Sequence, residues 1–209
     1  MDYRRPLLSI TPTLDGDVLA ALARADIELS GRELARHVSY GSPEGIRRAA
    51  DRLVGQGTVL RRSAGSAHLY RLNRDHLGAP WIEGLARLRE QLIERLRAQL
   101  GGWGRPAKVA LLFGSVARGD ATAGSDLDLF VVRPASCDPD SESWHDQLLD
   151  LQRSATVWTG NDTRVLEYGE QELSALEGQP LLEEMLRDGI ELAGSLRTLR
   201  RLARTESAS

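Results

Sequence analysis

The sequence predicts an α/β (α+β) fold in two parts, a helical part with a β-hairpin and then a mixed sheet flanked by helices. Two observations carry this prediction. Residues 14–73 show three helical patterns followed by two short strand patterns, and residues 108–132 show two apolar strands joined by a glycine-rich turn. The length of 209 residues, with 41% hydrophobic and 27% charged residues, suits two small globular domains.

The helices of the first part have recognisable start signals. An apolar stripe at helical spacing predicts the first helix from about residue 14. Ser30, with Glu33 three residues later, forms a capping box for the second helix, and Ser42 caps the third. The third helix and the two hairpin strands are predicted at residues 42–55, 58–62 and 68–72.

This order of elements resembles a winged helix-turn-helix domain, in which the third helix enters the major groove and the hairpin forms the wing. The resemblance implies double-stranded DNA as a partner and a role in transcription regulation. The residues it assigns to DNA binding are Ser42, Glu44, Arg47 and Arg48 on the third helix and Arg61, Arg62 and Arg71 on the hairpin. Such regulators commonly bind paired half-sites as homodimers, so a homodimer is expected. A purely protein-binding role of this part stays open.

Charge and composition limit the partners. The net charge of −3 is unevenly spread, because residues 1–79 contain 12 arginines against 9 acidic residues and the rest contains 15 basic against 21 acidic residues. This asymmetry indicates that only the first domain touches nucleic acid. No apolar run reaches the ~18 residues of a membrane span, and no signal-peptide core is present, so no membrane partner is expected. Cys137 is the single cysteine, which favours a reducing, cytoplasmic setting.

The second part begins after a connecting segment. Leucines at three- and four-residue spacing predict one amphipathic helix from Trp81 to Leu100. Beyond residue 132 the pattern predicts a helix, a third strand and two short helices, at residues 142–157, 163–168, 171–176 and 181–187. The basic, then polar, end of the chain is expected to fray or be disordered. The predicted domains are residues 1–79, a connecting helix at 80–104, a second domain at 105–195 and a flexible tail at 196–209.

A motif within residues 108–132 carries the chemistry. Gly114 and Ser115 follow the first apolar strand, and Asp126 and Asp128 begin the second. Side chains at positions i and i+2 of a strand share one face, so both carboxylates can hold the same metal ion. Hard oxygen ligands suit Mg²⁺, which usually arrives with the phosphates of a nucleotide. Backbone N–H groups exposed after Gly114 can receive a phosphate.

The motif resembles the signature of the minimal members of the DNA polymerase β-like nucleotidyltransferase superfamily, in the segments Gly114-Ser115, Ala117-Arg118-Gly119 and Ser125-Asp126-Leu127-Asp128-Leu129. The resemblance implies Mg²⁺ (or Mn²⁺) held by Asp126 and Asp128, with ATP or another nucleoside triphosphate as substrate. It assigns nucleotide binding to Gly114, Ser115, Arg118 and Ser125. It also implies AMP transfer from ATP to a hydroxyl group, which in the antitoxin-type members belongs to a partner protein.

A third carboxylate completes the two-metal site that the resemblance implies. Glu167, on the third predicted strand, is the best candidate for this catalytic residue, and Asp162 is a weaker one. Because a shift by one position moves a strand side chain to the opposite face, the strand register decides between them.

Two functions stay open at this point. The first is a Mg²⁺-dependent nucleotidyltransferase with Asp126, Asp128 and Glu167 as catalytic residues, coupled to a DNA-binding domain. The second is a DNA-binding regulator whose nucleotidyltransferase-like domain senses a nucleotide or mediates an interaction without catalysis. An aminoglycoside-type adenylyltransferase is disfavoured, because few residues follow the third strand to build the additional helical domain of those enzymes.

Overall fold

The computed structural model describes residues 1–38 and 40–204, which fall into two compact units. One unit comprises Asp2 and residues 4–88, and the other comprises Met1, Tyr3 and the chain from Arg89 onward. Both units combine helices with a sheet, so the predicted α/β fold class is confirmed. No helix in the described part of the chain is long and apolar enough to cross a bilayer.

The N-terminal unit contains the predicted order of three helices and a hairpin, with one further strand. Its elements are the 3₁₀ turn Pro6–Ser9, α1 (Leu14–Arg24), β1 (Leu29–Ser30), α2 (Gly31–His37), α3 (Pro43–Gly55), β2 (Val59–Ala64), β3 (Ala67–Leu72) and α4 (Ala79–Ala86). Strand β3 lies between β1 and β2 in an antiparallel sheet. The two-residue strand β1 is absent from the sequence prediction, because so short a segment has no periodicity to detect.

Two helix starts in this unit follow the predicted caps. The backbone N–H of Ser30 donates to the Glu33 carboxylate at 2.8 Å, and the N–H of Glu33 donates to Oγ of Ser30 at 3.3 Å, which confirms the capping box. The N–H of Gly45 donates to Oγ of Ser42 at 3.1 Å and so caps α3. Each such cap stabilises the fold by about 1 kcal/mol. These local bonds fix where the second and third helices begin.

The single helix predicted over residues 81–100 is wrong. The chain forms α4 and then α5 (Leu88–Gly101), and Arg87 between them has φ −111° and ψ 27°, outside helical geometry. Ala86 packs into the core of the N-terminal unit, whereas Leu96 packs into a core of the C-terminal unit. The run of apolar residues therefore serves two cores, which the spacing of leucines alone did not reveal.

The C-terminal unit is built on a four-stranded mixed sheet in the order β6-β5-β4-β7. After α5 its elements are β4 (Val109–Phe113), α6 (Gly114–Arg118), β5 (Leu127–Arg133), α7 (Glu142–Thr159), β6 (Thr163–Gly169), the 3₁₀ segment Glu170–Leu176, α8 (Pro180–Asp188), β7 (Ile190–Ala193) and α9 (Leu196–Ala203). Strand β4 is antiparallel to both β5 and β7, and β5 is parallel to β6.

Both faces of this sheet are covered, and β5 shows it residue by residue. Leu129 and Val131 pack into one core, which contains residues of α5 and α7. Phe130 and Val132 pack into the other, which contains residues of α8 and α9. A strand buried on both faces requires a continuous apolar sequence, and this explains the run at residues 129–132. Because successive side chains of β5 point to opposite faces of the sheet, the position of a polar residue along the strand also determines the face on which it lies.

The end of the chain is more ordered than expected. The segment predicted to fray contains α9, in which Leu199 and Ala203 are buried in a core of the C-terminal unit. The N–H of Thr198 donates to Oγ of Ser195 at 3.1 Å, which caps the helix. The expectation of disorder is wrong for this helix. The segment was judged by its many arginines, although two of its apolar residues are buried. The rest of the predicted tail, residues 205–209, lies outside the described residues.

Candidate functional site

The turn between β4 and α6 is shaped by Gly114. Its φ of +70° lies in the left-handed region, which glycine adopts without steric cost. A Cβ atom at this position would lie 2.5 Å from Oδ2 of Asp128. Because no side chain fills that space, the Asp128 carboxylate lies directly against the backbone at the start of α6. The next residue, Ser115, accepts the N–H of Asp120 on its carbonyl at 3.0 Å, which closes the loop after α6.

The two aspartates of the motif come together at the start of β5. Asp128 is paired in register with Phe113 of β4, and Asp126 directly precedes the strand. Both side chains are half-buried. Burial raises the pKa of the Asp128 carboxyl above its usual value, and the neighbouring charge of Asp126 raises it further. A pair of carboxylates with this mutual repulsion is stabilised by a cation.

Strand β6 places a cation beside this pair. Its residue Arg164 is paired in register with Asp128, and Nη2 of Arg164 lies 2.9 Å from Oδ2 of Asp126. The Arg164 side chain is 68% exposed, so it can exchange partners at the surface. The charges of Arg164 and Arg118 lower the pKa of Asp128 and so offset part of the effect of burial. The strand position beside Asp128 therefore carries a guanidinium and no carboxylate.

Glu167 is not brought to the aspartates, so its predicted role as the third carboxylate is wrong. It is paired in register with Val131 and lies three strand positions after Arg164. An odd shift along a strand reverses the face, so Glu167 lies on the opposite side of the sheet from Asp128. There its Oε1 accepts hydrogen bonds from Nε of Arg133 at 2.8 Å and from Nε1 of Trp144 at 3.3 Å. Glu167 is part of a structural contact beneath α7.

The weaker candidate, Asp162, contacts the neighbouring strand through its backbone. It is exposed and precedes β6, and its carbonyl accepts the N–H of Leu127 at 2.8 Å. Within residues 1–38 and 40–204 there is no group of three or more His, Cys, Asp or Glu side chains that could hold a metal ion. The described site thus offers two carboxylate ligands.

A further acidic residue, Glu184 of α8, was missed by sequence reasoning. Its Oε1 lies 2.5 Å from Nη1 of Arg118 on α6, and Nε of Arg118 lies 3.6 Å from Oδ2 of Asp120. The charge of Glu184 also raises the pKa of Asp128, although less than burial and the charge of Asp126 do. Helix α8 was predicted, but no local pattern indicates that it packs against α6. The approach of Glu184 is a tertiary effect.

The loop before Asp126 is held by Asn161, which sequence reasoning also missed. Asn161 is 1% exposed, and its Nδ2 donates to the carbonyls of Thr122, Ala123 and Ser125 at 3.2, 3.4 and 2.8 Å. Within the loop, Oγ of Ser125 accepts the N–H of Thr122 at 2.9 Å. These bonds fix the backbone that leads into Asp126. A turn signal at Gly160-Asn161 was visible in the sequence, but its partners were not.

The residues predicted to bind DNA lie on the surface of the N-terminal unit, and all five arginines among them are engaged with carboxylates there. On α3, Glu44 lies 2.8 Å from Arg47 and 3.0 Å from Arg48. On the hairpin, the partners and distances are Arg61 with Asp51 at 2.9 Å, Arg62 with Glu28 at 2.5 Å and Arg71 with Glu28 at 3.9 Å.

Two further contacts concern the same surface. Asp51 also lies 3.7 Å from Arg47, so it links α3 to the hairpin through Arg61. The hydroxyl of Ser42 is used by its helix cap. Exposed ion pairs contribute ~0–1 kcal/mol, so phosphates could replace these carboxylates at little cost. The predicted DNA-binding roles of these residues stay predictions.

The turn after β4 and the aspartates on its antiparallel neighbour lie together in the mixed sheet of the C-terminal unit. Residues 89–177, which contain all of α5 except Leu88, the motif and β6, match the family model of the nucleotidyltransferase domain. No curated protein sequence gives a significant match to the chain.

Several solved structures are similar over about half of the chain. One is a crystal structure of a toxin–antitoxin with AMP-PNP, which has 19% identity and a TM-score of 0.37 and covers 56% of this chain and 82% of that chain. Another is a mutant of the MntA–HpeT toxin–antitoxin, which has 15% identity and a TM-score of 0.38 and covers 54% of this chain and 82% of that chain.

Proposed function

We propose that this chain is a Mg²⁺-dependent nucleotidyltransferase that moves AMP from ATP to a hydroxyl group of a protein or another acceptor. The observation that supports it most is the contact of Gly114 with Asp128, which leaves the carboxylate pair open beside the turn of a matched nucleotidyltransferase domain. A reducing cytoplasm is the proposed setting, because the single cysteine, Cys137, is a free thiol.

The donor set fits one divalent ion. Asp126 and Asp128 provide two hard oxygen ligands, and Mg²⁺ is commonly held by one or two carboxylates together with waters and phosphate oxygens. Mn²⁺ accepts the same ligands. When bound, the ion supplies charge neutralisation and polarisation of the phosphoryl oxygens. The residues do not fit a second ion, because Arg164 occupies the neighbouring strand position.

Arg164 is the group proposed to take part of the phosphate charge. In the free protein it is paired with Asp126, and its exposure allows it to turn to the phosphates of an incoming nucleotide. A guanidinium donates two parallel hydrogen bonds to phosphate oxygens, which both binds and orients them. Arg118, on α6, is a second guanidinium near the site.

The proposed step is an in-line displacement. The acceptor oxygen forms a bond to the α-phosphorus of ATP, and the bond from that phosphorus to the bridging oxygen breaks, so pyrophosphate leaves with the electron pair. The acceptor proton passes to a carboxylate, and Glu184 is the remaining acidic side chain whose charge reaches Asp128. General-base assistance of this kind typically contributes about 10²–10⁴-fold in rate.

Incubation with α-labelled ATP, Mg²⁺ and a lysate of the host cells tests this proposal. We expect a labelled band with the wild-type chain and none with the Asp126→Ala/Asp128→Ala variant. Asp146→Ala, which removes an exposed carboxylate of α7, is the matched control and should leave the band unchanged. If the wild-type protein binds ATP but produces no labelled band, the proposed transferase activity is overturned.

A DNA-binding regulator is the second candidate, and the pairing of Arg164 with Asp126 favours it. A site with two carboxylates and a cation at the third position can bind a nucleotide without transferring it. The helix-strand-helix-helix-hairpin order of the N-terminal unit supports a winged helix-turn-helix, with α3 as the DNA-reading helix and a homodimer on paired half-sites.

The two candidate functions, transferase and DNA-binding regulator, predict different effects of ATP. The regulator requires an ATP-dependent change in DNA affinity without label transfer, which fluorescence anisotropy measures. Arg47→Ala should weaken DNA binding, whereas Arg52→Ala should not, because a recognition helix contacts bases with its N-terminal residues and Arg52 lies near the C-terminal end of α3. Equal DNA affinity of the two variants and the wild type would reject DNA binding by α3.

A further inference from the structure

Helix α9 carries a dense group of arginines on its outer side. Arg197, Arg200 and Arg201 lie on α9 and Arg204 is its C-cap; they follow at positions i, i+3, i+4 and i+7, which lie along one side of a helix, and all four are exposed. We call these four residues the arginine face. The opposite side of α9 is anchored, since Leu199 and Ala203 are buried in a core of the C-terminal unit. The arginine face is therefore held by the fold.

The electrostatic surroundings of this face differ from those of other arginines. Each of the five arginines predicted to bind DNA lies within 4 Å of a carboxylate. In contrast, Arg197, Arg200 and Arg204 form no ion pair with any acidic side chain among residues 1–38 and 40–204. Their charges are not neutralised by the described part of the protein, although the C-terminal part of the chain is acidic overall.

A depression of about 690 Å³ lies along this side of the helix. It is lined by the arginine face and Thr198. The Thr198 hydroxyl is within hydrogen-bond distance of the Ser195 hydroxyl, at 2.9 Å. This uncharged polar side chain of the lining therefore takes part in the start of α9. Among residues 1–38 and 40–204, the charged atoms of the lining are thus guanidinium groups.

We propose that the arginine face binds the phosphodiester backbone of a nucleic acid. A rise of 1.5 Å per residue separates Arg197 from Arg204 by about 10 Å along the helix, the span of about three phosphates of one strand at 3.4 Å each. Guanidinium groups match phosphate oxygens in geometry and charge. Among the described residues the lining consists of the arginine face and Thr198, so we expect contacts with phosphates to supply most of the affinity.

A membrane is a poorer partner for this surface. Insertion into a lipid interface needs an apolar face, and the apolar residues of α9 are already packed inside the unit. An anionic membrane would therefore offer these arginines a charge interaction alone, which falls off within a Debye length of the surface. The proposal goes beyond the transfer reaction and does not depend on it. It also revises the expectation that only the N-terminal domain touches nucleic acid.

The test measures anisotropy of fluorescein-labelled single-stranded RNA and duplex DNA of mixed sequence with the full chain, without ATP, at several NaCl concentrations. The variant is Arg197→Gln/Arg200→Gln/Arg204→Gln. The matched control, Arg105→Gln/Arg153→Gln/Arg187→Gln, removes the same charge from other exposed positions of the C-terminal unit. We expect binding by the α9 variant to weaken at least ~10-fold at low salt, with a log–log salt slope smaller by about 2–3, and the control to stay close to wild type.

Three results would overturn the proposal. They are an unchanged affinity and slope of the α9 variant, an equal loss in the control, and arginine-dependent binding to phosphatidylserine vesicles without binding to nucleic acid. The variant Arg197→Lys/Arg200→Lys/Arg204→Lys keeps the charge and should keep the slope, which separates an electrostatic loss from a misfolded helix. Repeating the titration in Asp126→Ala/Asp128→Ala protein should give the wild-type result, so failure of the transferase and failure of this surface are distinguishable.

Discussion

Strands β5 and β6 lie side by side at the candidate site and contribute opposite charges. Strand β5 provides Asp128, with Asp126 just before it, whereas β6 provides Arg164 at the paired position. The carboxylates can bind a cation, and the guanidinium can bind an anion. In the proposed transferase, the charge of a triphosphate would be shared between one metal ion and Arg164. The comparison also shows how one strand can match a family motif while its neighbour departs from it.

Removal of the carboxylate charge that β5 provides should have the largest effect on transfer. Asp128→Asn is expected to reduce label transfer by at least ~10³-fold, because several kcal/mol of charge stabilisation at the phosphates is lost. The same variant should melt at a higher temperature at neutral pH. The raised pKa of Asp128 means that its ionised form opposes folding; this penalty decreases as the pH falls through the raised pKa and is absent below the unfolded-state pKa of about 4. Melting curves at both pH values check the sign, and a lower melting temperature of the variant at neutral pH would contradict it.

A substitution in the turn that faces β5 should have the next largest effect on transfer. Gly114→Ala is expected to reduce transfer about 10²-fold, since its Cβ would displace the Asp128 carboxylate and small misplacements of reacting groups are costly. Gly119→Ala is the matched control, because Gly119 has a similar φ of +81° but no neighbouring atom within 4 Å. Both variants should lose about 1 kcal/mol of stability from backbone strain. Equal activities of the two would show that contact with Asp128 is unimportant.

Removal of the β6 charge should separate metal binding from phosphate binding. Arg164→Ala is expected to weaken ATP binding about tenfold, or ~1.4 kcal/mol, because a phosphate ligand is lost. The same change should strengthen binding of Mn²⁺ alone, since Asp126 no longer has a competing guanidinium. Calorimetry with ATP and electron paramagnetic resonance with Mn²⁺ measure the two effects. Arg153→Ala on α7 should change neither, and weaker binding of both ligands by Arg164→Ala would contradict a phosphate role.

The smallest effect on transfer is expected from the loop that leads into β5. Asn161→Ala removes hydrogen bonds to three carbonyl groups and leaves them without their partner. We expect a loss of about 1–3 kcal/mol in the free energy of unfolding, measured with urea, and a severalfold loss of transfer. Gln147→Ala, at a more exposed amide of α7, should lose less stability. An unchanged unfolding free energy of Asn161→Ala would show that the loop is held by other contacts.

The sequence was sufficient for β4, the turn and β5, because each depends on local chemistry. A Gly-Ser turn and two aspartates at i and i+2 are visible without tertiary knowledge, whereas the left-handed conformation of Gly114 is seen only in the structure. The roles of Arg164, Glu167 and Glu184 were not accessible, since they depend on the register of β6 and on the packing of α8. Asn161 was likewise hidden, because its partners come from a loop that is distant in sequence. Helix α9 was missed because the basic residues within it and the polar residues after it were interpreted as a flexible tail, although apolar residues anchor the helix.

The sheet of the C-terminal unit is completed late along the chain. Strand β7 pairs with β4, so that Ala110 meets Ala193, and β4 is an interior strand only after β7 has joined it. During synthesis on the ribosome, β4 and β5 emerge well before β7 and α9. Until then one side of β4 exposes unpaired backbone groups next to an apolar strand, which is a site for misassociation between nascent chains. Rapid closure by β7 and α9 is therefore a kinetic requirement for this unit, and slow translation past residue 113 would lengthen its period of risk.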